Sequence, residues 1–304
     1  MSDPLVAGVE LGGTKGVAVI ARGARIIARF RQPTVGPHET LGALSAQLAA
    51  WRRRHGPIAA LGIASFGPVG LDRGRADYGC ITRTTKPGWS GVPVVERFRD
   101  GFDGPIGFDT DVGGAALAET LWGAGVGRAV VVYVTIGTGI GGGLVVDGRP
   151  VHGMIHPEMG HLRVRRAPDD DFPGACPFHG DCLEGLASGP AIAARAGAPA
   201  ETLGSDHPVW PKVADEIAEM VVSLVLTLSP HRILIGGGVG MGKPFLLPMI
   251  RAAVATRLNG YVAGMTPDRL RRVVRAPALG GRAGPLGAVA LGLSAMAGLS
   301  HCGI

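Results

Sequence analysis

Apolar residues in this chain come in two textures. Some form short continuous runs that stop at glycine; others recur every three or four positions over longer stretches. Residues 5–20 read LVAGVEL, GGT, KGVAVI, and residues 129–146 repeat the scheme as AVVVYVTI, GTGIGG, GLVV. Runs rich in β-branched residues, broken by Gly and Thr, predict strand–turn–strand units. Asp147-Gly148 then marks a hairpin into Arg149-Pro150. IAALGIASF (58–66) predicts a buried strand ending at Gly67-Pro68, and RILIGGGVG a strand entering three glycines. Helical spacing appears over 38–55, with Leu41, Leu44, Leu48 and Trp51 on one stripe. It appears again over 206–228, with Asp206 as the expected N-cap and Pro208 in the first turn, and over 284–298. Alternating strands and helices predict α/β layers. The shared opening of the two halves predicts a duplicated architecture. Its expected lobes are residues 1–112, joined by a C-terminal helix within 284–304, and residues 113–283.

Composition narrows this picture. At 304 residues, with 46% hydrophobic and 18% charged residues, the chain has material for sizeable cores and no disordered tract. The 51 glycines follow no collagen period; they cluster in turns. The net charge is +6, and only Lys15, Lys86, Lys212 and Lys243 among the 30 basic residues are lysines. The run Trp51-Arg52-Arg53-Arg54-His55 reads as a helix end complementing its dipole rather than a nucleic-acid surface. No uninterrupted apolar stretch reaches the roughly 20 residues a membrane span needs, and Leu5–Val9 opens without a basic leader. The expectation is a cytoplasmic protein with no membrane or nucleic-acid partner. Four cysteines make no disulfide framework, and Cys80 and Cys302 read as ordinary thiols.

Candidate chemistry concentrates in three places. Gly12-Gly13-Thr14-Lys15, Gly137-Thr138-Gly139 and Gly236-Gly237-Gly238 are turns whose backbone amides can approach an anion without a Cβ in the way. Neither the dinucleotide nor the P-loop fingerprint fits, yet two of the turns lie on matching hairpins, which points to a nucleotide held between two lobes. In GFDTDVGGAALAE, Asp109 and Asp111 share one face if extended. Asp111 is either a general base or the N-cap of a helix beginning near Val112. HPEMGHL offers Glu158 and His161 to a polyol's hydroxyls or forms a surface turn. His161, Cys176, His179 and Cys182 follow H-x14-C-x2-H-x2-C, a two-thiolate, two-imidazole set suited to structural Zn²⁺. A redox Cys-x-x-Cys is absent.

These stretches together resemble the ROK family of sugar kinases, in the actin/hexokinase-like ATPase superfamily with its two-lobed, ribonuclease H-like fold. They are GVELGGTK, GIASFGPVG, TKPGW, FDTDVGGAALAE, VTIGTGIGGG, HPEMGHL, CPFHGDCLEGLASGP and ILIGGGVG. The subgroup they most resemble is the bacterial fructokinases. The resemblance implies transfer of the γ-phosphoryl of ATP to the 6-hydroxyl of D-fructose. It implies Asp111 as general base, with Glu158, His161 and Glu184 on the sugar. The first two glycine turns would take the ATP phosphates and Gly236–Gly238 would lie near adenosine. Mg²⁺ would be assisted by Glu10, and zinc held by His161, Cys176, His179 and Cys182. It also implies a homodimer. Two departures stand out. Gly113 occupies a position where the family usually has Asn, and Arg83–Thr85 replace a usual Thr-Thr-Pro. Glucose, mannose or an amino sugar is the alternative substrate. A sugar-sensing regulator needs a DNA-binding segment ahead of the first hairpin, which here opens at residue 5.

Overall fold

The computed structural model describes residues 3–298; Cys302 and the last residues of the 284–304 segment lie outside the described residues. The first elements are β1 (Val6–Leu11), β2 (Lys15–Arg22), β3 (Arg25–Pro33), α1 (Pro37–His55) and β4 (Ala60–Ser65). Then come β5 (Cys80–Ile81), β6 (Val92–Pro93), α2 (Val94–Arg99), β7 (Ile106–Thr110) and α3 (Asp111–Trp122). They are followed by β8 (Val130–Ile136), β9 (Ile140–Val146), β10 (Arg149–Pro150), α4 (Leu183–Ala187), α5 (Gly189–Ala196) and α6 (Val209–Leu228). The last are β11 (Arg232–Gly236), α7 (Gly237–Gly242), α8 (Leu246–Leu258), α9 (Pro267–Val273), β12 (Val274–Arg275) and α10 (Ala283–Met296). No helix among the described residues is long and apolar enough to cross a membrane.

Two five-stranded sheets carry the chain, in the orders β3-β2-β1-β4-β7 and β10-β9-β8-β11-β12. The orders are the same: each sheet begins from a central strand, turns outward twice, then continues on the other side. In the first sheet β1, β2 and β3 pair antiparallel, while β1, β4 and β7 pair parallel. In the second, β8, β11 and β12 pair parallel. The duplicated α/β architecture expected from the repeated hairpin is therefore present at the level of topology. The chain divides into two compact units. One contains the described residues up to Val126, Gly143–Pro157 and those from Gly281 onward; the other contains Gly127–Gly142 and Glu158–Gly280.

Within the first unit, the sheet is buried on both faces. Ala7, Val9 and Leu11 of β1 join Leu41, Leu44 and Trp51 of α1 in the larger core. Val6, Val17, Val19 and Ala60 form a second cluster with Val289 of α10. That second face is made of small residues because α10 lies almost on the strands. A Cβ on Gly62 would stand 1.7 Å from the Ala288 carbonyl oxygen, and one on Gly107 would stand 2.2 Å from that of Leu291. Only glycine permits this approach.

Two local expectations are corrected. The long helix opens at Val209 with Pro208 at its cap and no side-chain cap, so Asp206 is not its N-cap. The amide of Val209 donates instead to His207 Nδ1, 3.2 Å away. The other correction concerns α3, whose N-cap is Thr110, not Asp111. Arg52, Arg53, Arg54 and His55 fill the last turn of α1, as expected of a helix end.

Candidate active site and metal centre

In the first unit the parallel register aligns Leu11, Ser65 and Thr110 at the ends of β1, β4 and β7. The Gly12–Lys15 turn and Asp111 therefore leave the sheet at the same edge, the carboxyl edge where open α/β sheets bind ligands. The turn is tight: the Gly12 amide donates to the Lys15 carbonyl at 2.9 Å, and Thr34 Oγ1 donates to Gly12 O at 2.8 Å. Lys86 Nζ donates to the Gly13 carbonyl at 2.7 Å. The TKPGW segment thus brings an ammonium to this turn, a placement that the sequence did not reveal.

Asp111 is the first residue of α3, with its Oδ1 accepting from the Val112 amide at 2.9 Å. Thr110 caps the helix by accepting from the Gly113 amide at 2.9 Å. Partial burial, then the charge of Glu10, push the Asp111 carboxyl up from 3.8 to about 7, against the pull of backbone N–H groups. A carboxylate with that pKa can accept a proton near neutral pH. Glu10 is itself raised by burial, offset by Lys15 and Arg29. Asp109 does not share a face with Asp111. It is fully buried in β7 while Asp111 has turned into the helix.

In the second unit, β11 runs parallel to β8 with Gly236 opposite Thr135. This brings the other two glycine turns together, since a Cβ on Gly137 would lie 3.6 Å from the Gly238 amide nitrogen. Gly237 opens α7 at φ +83°. The Gly137 turn closes through its own amide on Gly139 O (2.9 Å), and Gly189 at the head of α5 donates to Gly137 O at 2.7 Å. Glu184, in the first turn of α4, accepts from the Ile140 amide at 2.9 Å. Burial, then the charge of Glu184, raise Glu158 to about 7. Glu158 and Glu184 thus form a carboxyl pair in which one member is poised to hold a proton.

His161, Cys176, His179 and Cys182 meet in the same unit, with one ligand atom from each lying within 4.8 Å of the others. Nδ1 of His161 is 3.4 Å from Cys182 Sγ, 3.8 Å from Cys176 Sγ and 3.3 Å from His179 Nδ1; Cys176 Sγ is 3.7 Å from His179 Nδ1. A regular tetrahedron with zinc–nitrogen and zinc–sulfur bonds of ordinary length has edges of about 3.4 Å (N···N) and about 3.6 Å (N···S). The four residues fit that ion. The loop is preformed, with Cys176 and Gly180 exchanging backbone hydrogen bonds of 3.1 and 2.9 Å. Burial and the adjacent Cys176 push the Cys182 thiol up, a bias that a bound cation reverses.

Paired sheets of one topology, glycine turns at strand ends and a carboxylate opening a helix define an actin-like ATPase fold of the sugar-kinase kind. The chain belongs to the ROK family, matching it over residues 6–295. It is 44% identical to a fructokinase from Zymomonas mobilis subsp. mobilis over 295 residues, covering 94% of this chain and 96% of that one. A ROK hexokinase from Thermus thermophilus superposes with a TM-score of 0.79 at 28% identity, over 95% of this chain and 98% of the other. A ROK glucokinase from Streptomyces griseus, solved with glucose and AMPPNP, gives 0.73 at 25% identity, over 95% and 99%.

Proposed function

We propose that this protein is an ATP-dependent fructokinase, transferring the γ-phosphoryl group of ATP to the 6-hydroxyl of D-fructose. One observation carries the reading. A chain 44% identical to a fructokinase carries, at the head of α3, a carboxylate pushed up to about 7, which suits a general base. Asp111 takes the proton of the sugar hydroxyl as its oxygen bonds to the γ-phosphorus and the bond to the β-phosphate oxygen breaks, leaving ADP. Glu158 and Glu184 accept from sugar hydroxyls. His161 directs Nδ1 to the metal centre, which leaves Nε2–H to donate to the sugar, as the second nitrogen of a metal-bound histidine commonly does. Gly12, Gly13, Thr14 and Lys15, with Gly137, Thr138 and Gly139, hold the phosphates through backbone amides. Gly236, Gly237 and Gly238 lie along the adenosine.

Glu10 would assist a bound Mg²⁺, which would supply charge neutralisation to the transferring phosphoryl group. Zn²⁺ on His161, Cys176, His179 and Cys182 is structural, because a four-ligand site leaves no open position. In this reading the enzyme works as a cytoplasmic homodimer.

Coupled ADP release with Mg·ATP, comparing fructose, mannose, glucose and N-acetylmannosamine, tests the proposal. Turnover is expected with fructose and is abolished by Asp111→Ala. No ADP from any hexose with zinc-replete protein sinks it, while preference for another hexose moves the substrate and keeps the reaction.

A further inference from the structure

Asp109 presents a problem of placement. Its side chain is 0% exposed, so no substrate atom reaches it. A carboxylate in such a place is costly unless it is paired and hydrogen-bonded. Oδ1 accepts from the Thr110 amide at 2.6 Å and from its hydroxyl at 3.3 Å. His152 Nε2, beyond β10, stands 3.2 Å from Oδ1 and 3.1 Å from Oδ2. An ionised carboxylate only accepts, so His152 is the donor. Nε2 of His156 is otherwise engaged, accepting from the Val69 amide at 3.1 Å.

The same carboxylate explains Gly113. A Cβ there would meet Asp109 Oδ1 at 2.6 Å and Thr110 Oγ1 at 2.9 Å. Asp109 occupies the space that any side chain at 113 needs. His152, Asp109, Thr110 and Gly113 therefore form one unit, and the next residue after Thr110 is Asp111.

We propose that His152 and Asp109 are a positioning pair: His152 orients the Asp109 carboxylate, which fixes the Thr110 turn that aims Asp111 at the attacking hydroxyl. This inference rests on Asp111 being the general base. It names His152, a residue 43 positions away from Asp109 in the chain, as a determinant of kcat that never touches the sugar.

The test compares full-length, zinc-replete enzymes in steady-state assays with Mg·ATP and fructose. His152→Phe fills the space without a donor. It is expected to lower kcat about 100-fold, the effect of misplacing a reacting group by about 1 Å, with the fructose KM held within about threefold. His152→Gln keeps an N–H donor and is expected to stay within about fivefold of wild-type kcat. Gly113→Ala pushes on the Asp109 carboxylate and is expected to lower kcat with KM kept, so the idea stays testable if His152→Phe does not fold. Wild-type kcat in His152→Phe or Gly113→Ala, alongside an inactive Asp111→Asn, overturns the pair. So does a loss confined to KM, which would put His152 on the sugar. Full activity in Asp111→Asn overturns the general-base reading instead.

Discussion

Replacing Asp111 by Asn should make the enzyme inactive and, at alkaline pH, more stable. The carboxyl rises from 3.8 to about 7 on folding because ionising it in this site is unfavourable. A folded-state pKa above the unfolded value means that the folded state holds the proton more tightly. The stabilisation is complete below pH 3.8 and is lost as pH climbs through about 7. Roughly three units at 1.36 kcal/mol each set a ceiling of about 4 kcal/mol. Asp111 is only partly buried, so solvent screening reduces the realised value, and about 2 kcal/mol is expected. Asn carries no charge and avoids this loss. Thermal unfolding of wild type and Asp111→Asn should therefore agree near pH 4. At pH 8 they should differ by on the order of 4 °C, with the variant higher. In the same buffers, wild-type kcat/KM should fall on acidification with an apparent pKa near 7, because a protonated base cannot accept the hydroxyl proton. A stability offset that does not change with pH refutes the reasoning. So would an acid limb near the ordinary carboxylate value.

Two further outcomes test the second unit. Native mass spectrometry should find one zinc per chain, and Cys176→Ser should release it and raise the fructose KM by about tenfold, since the metal loop carries His161 and leads to Glu184. Arg195→Met should destabilise the protein by about 3 kcal/mol in urea unfolding. Its guanidinium pairs with the buried carboxylate of Glu216, which would be left uncompensated, while Asp170 keeps its pair with Arg166.

The hairpins at the centres of both sheets were legible because continuous β-branched runs stopped at glycine, and local sequence decides such units. β3 was not. RIIARFRQP alternates exposed and half-buried positions with no buried residue, and its strand state comes from pairing with β2 from Arg25 to Pro33. α3 was legible only as the continuation of a strand. Its residues from Val112 to Glu119 are all buried and mostly Gly or Ala, so no amphipathic stripe marks it. Its start was misplaced by one residue because Thr and Asp are both favoured caps, and Asp ranks the higher. Geometry decided for Thr110, whose hydroxyl reaches the Gly113 amide.

The site divides along the same line. The metal cluster could be read because three ligands fall within seven residues, a spacing that one tight loop can bring together. The junction that carries Asp111 could be read because glycine turns and a strand-to-helix passage are local features. The state of Asp111 could not, since it follows from burial and then from Glu10, about a hundred residues earlier, meeting it at one sheet edge. Asp109 is the sharpest case. By sequence it is a twin of Asp111, two positions away and equally able to serve as a base. The strand end separates them: β7 turns Asp109 inward to a histidine and two Thr110 donors, and α3 leaves Asp111 partly open at the carboxyl edge. A two-residue step across a strand-to-helix junction thus gives two identical side chains different surroundings, one partly open at the carboxyl edge and one enclosed by its hydrogen-bond partners.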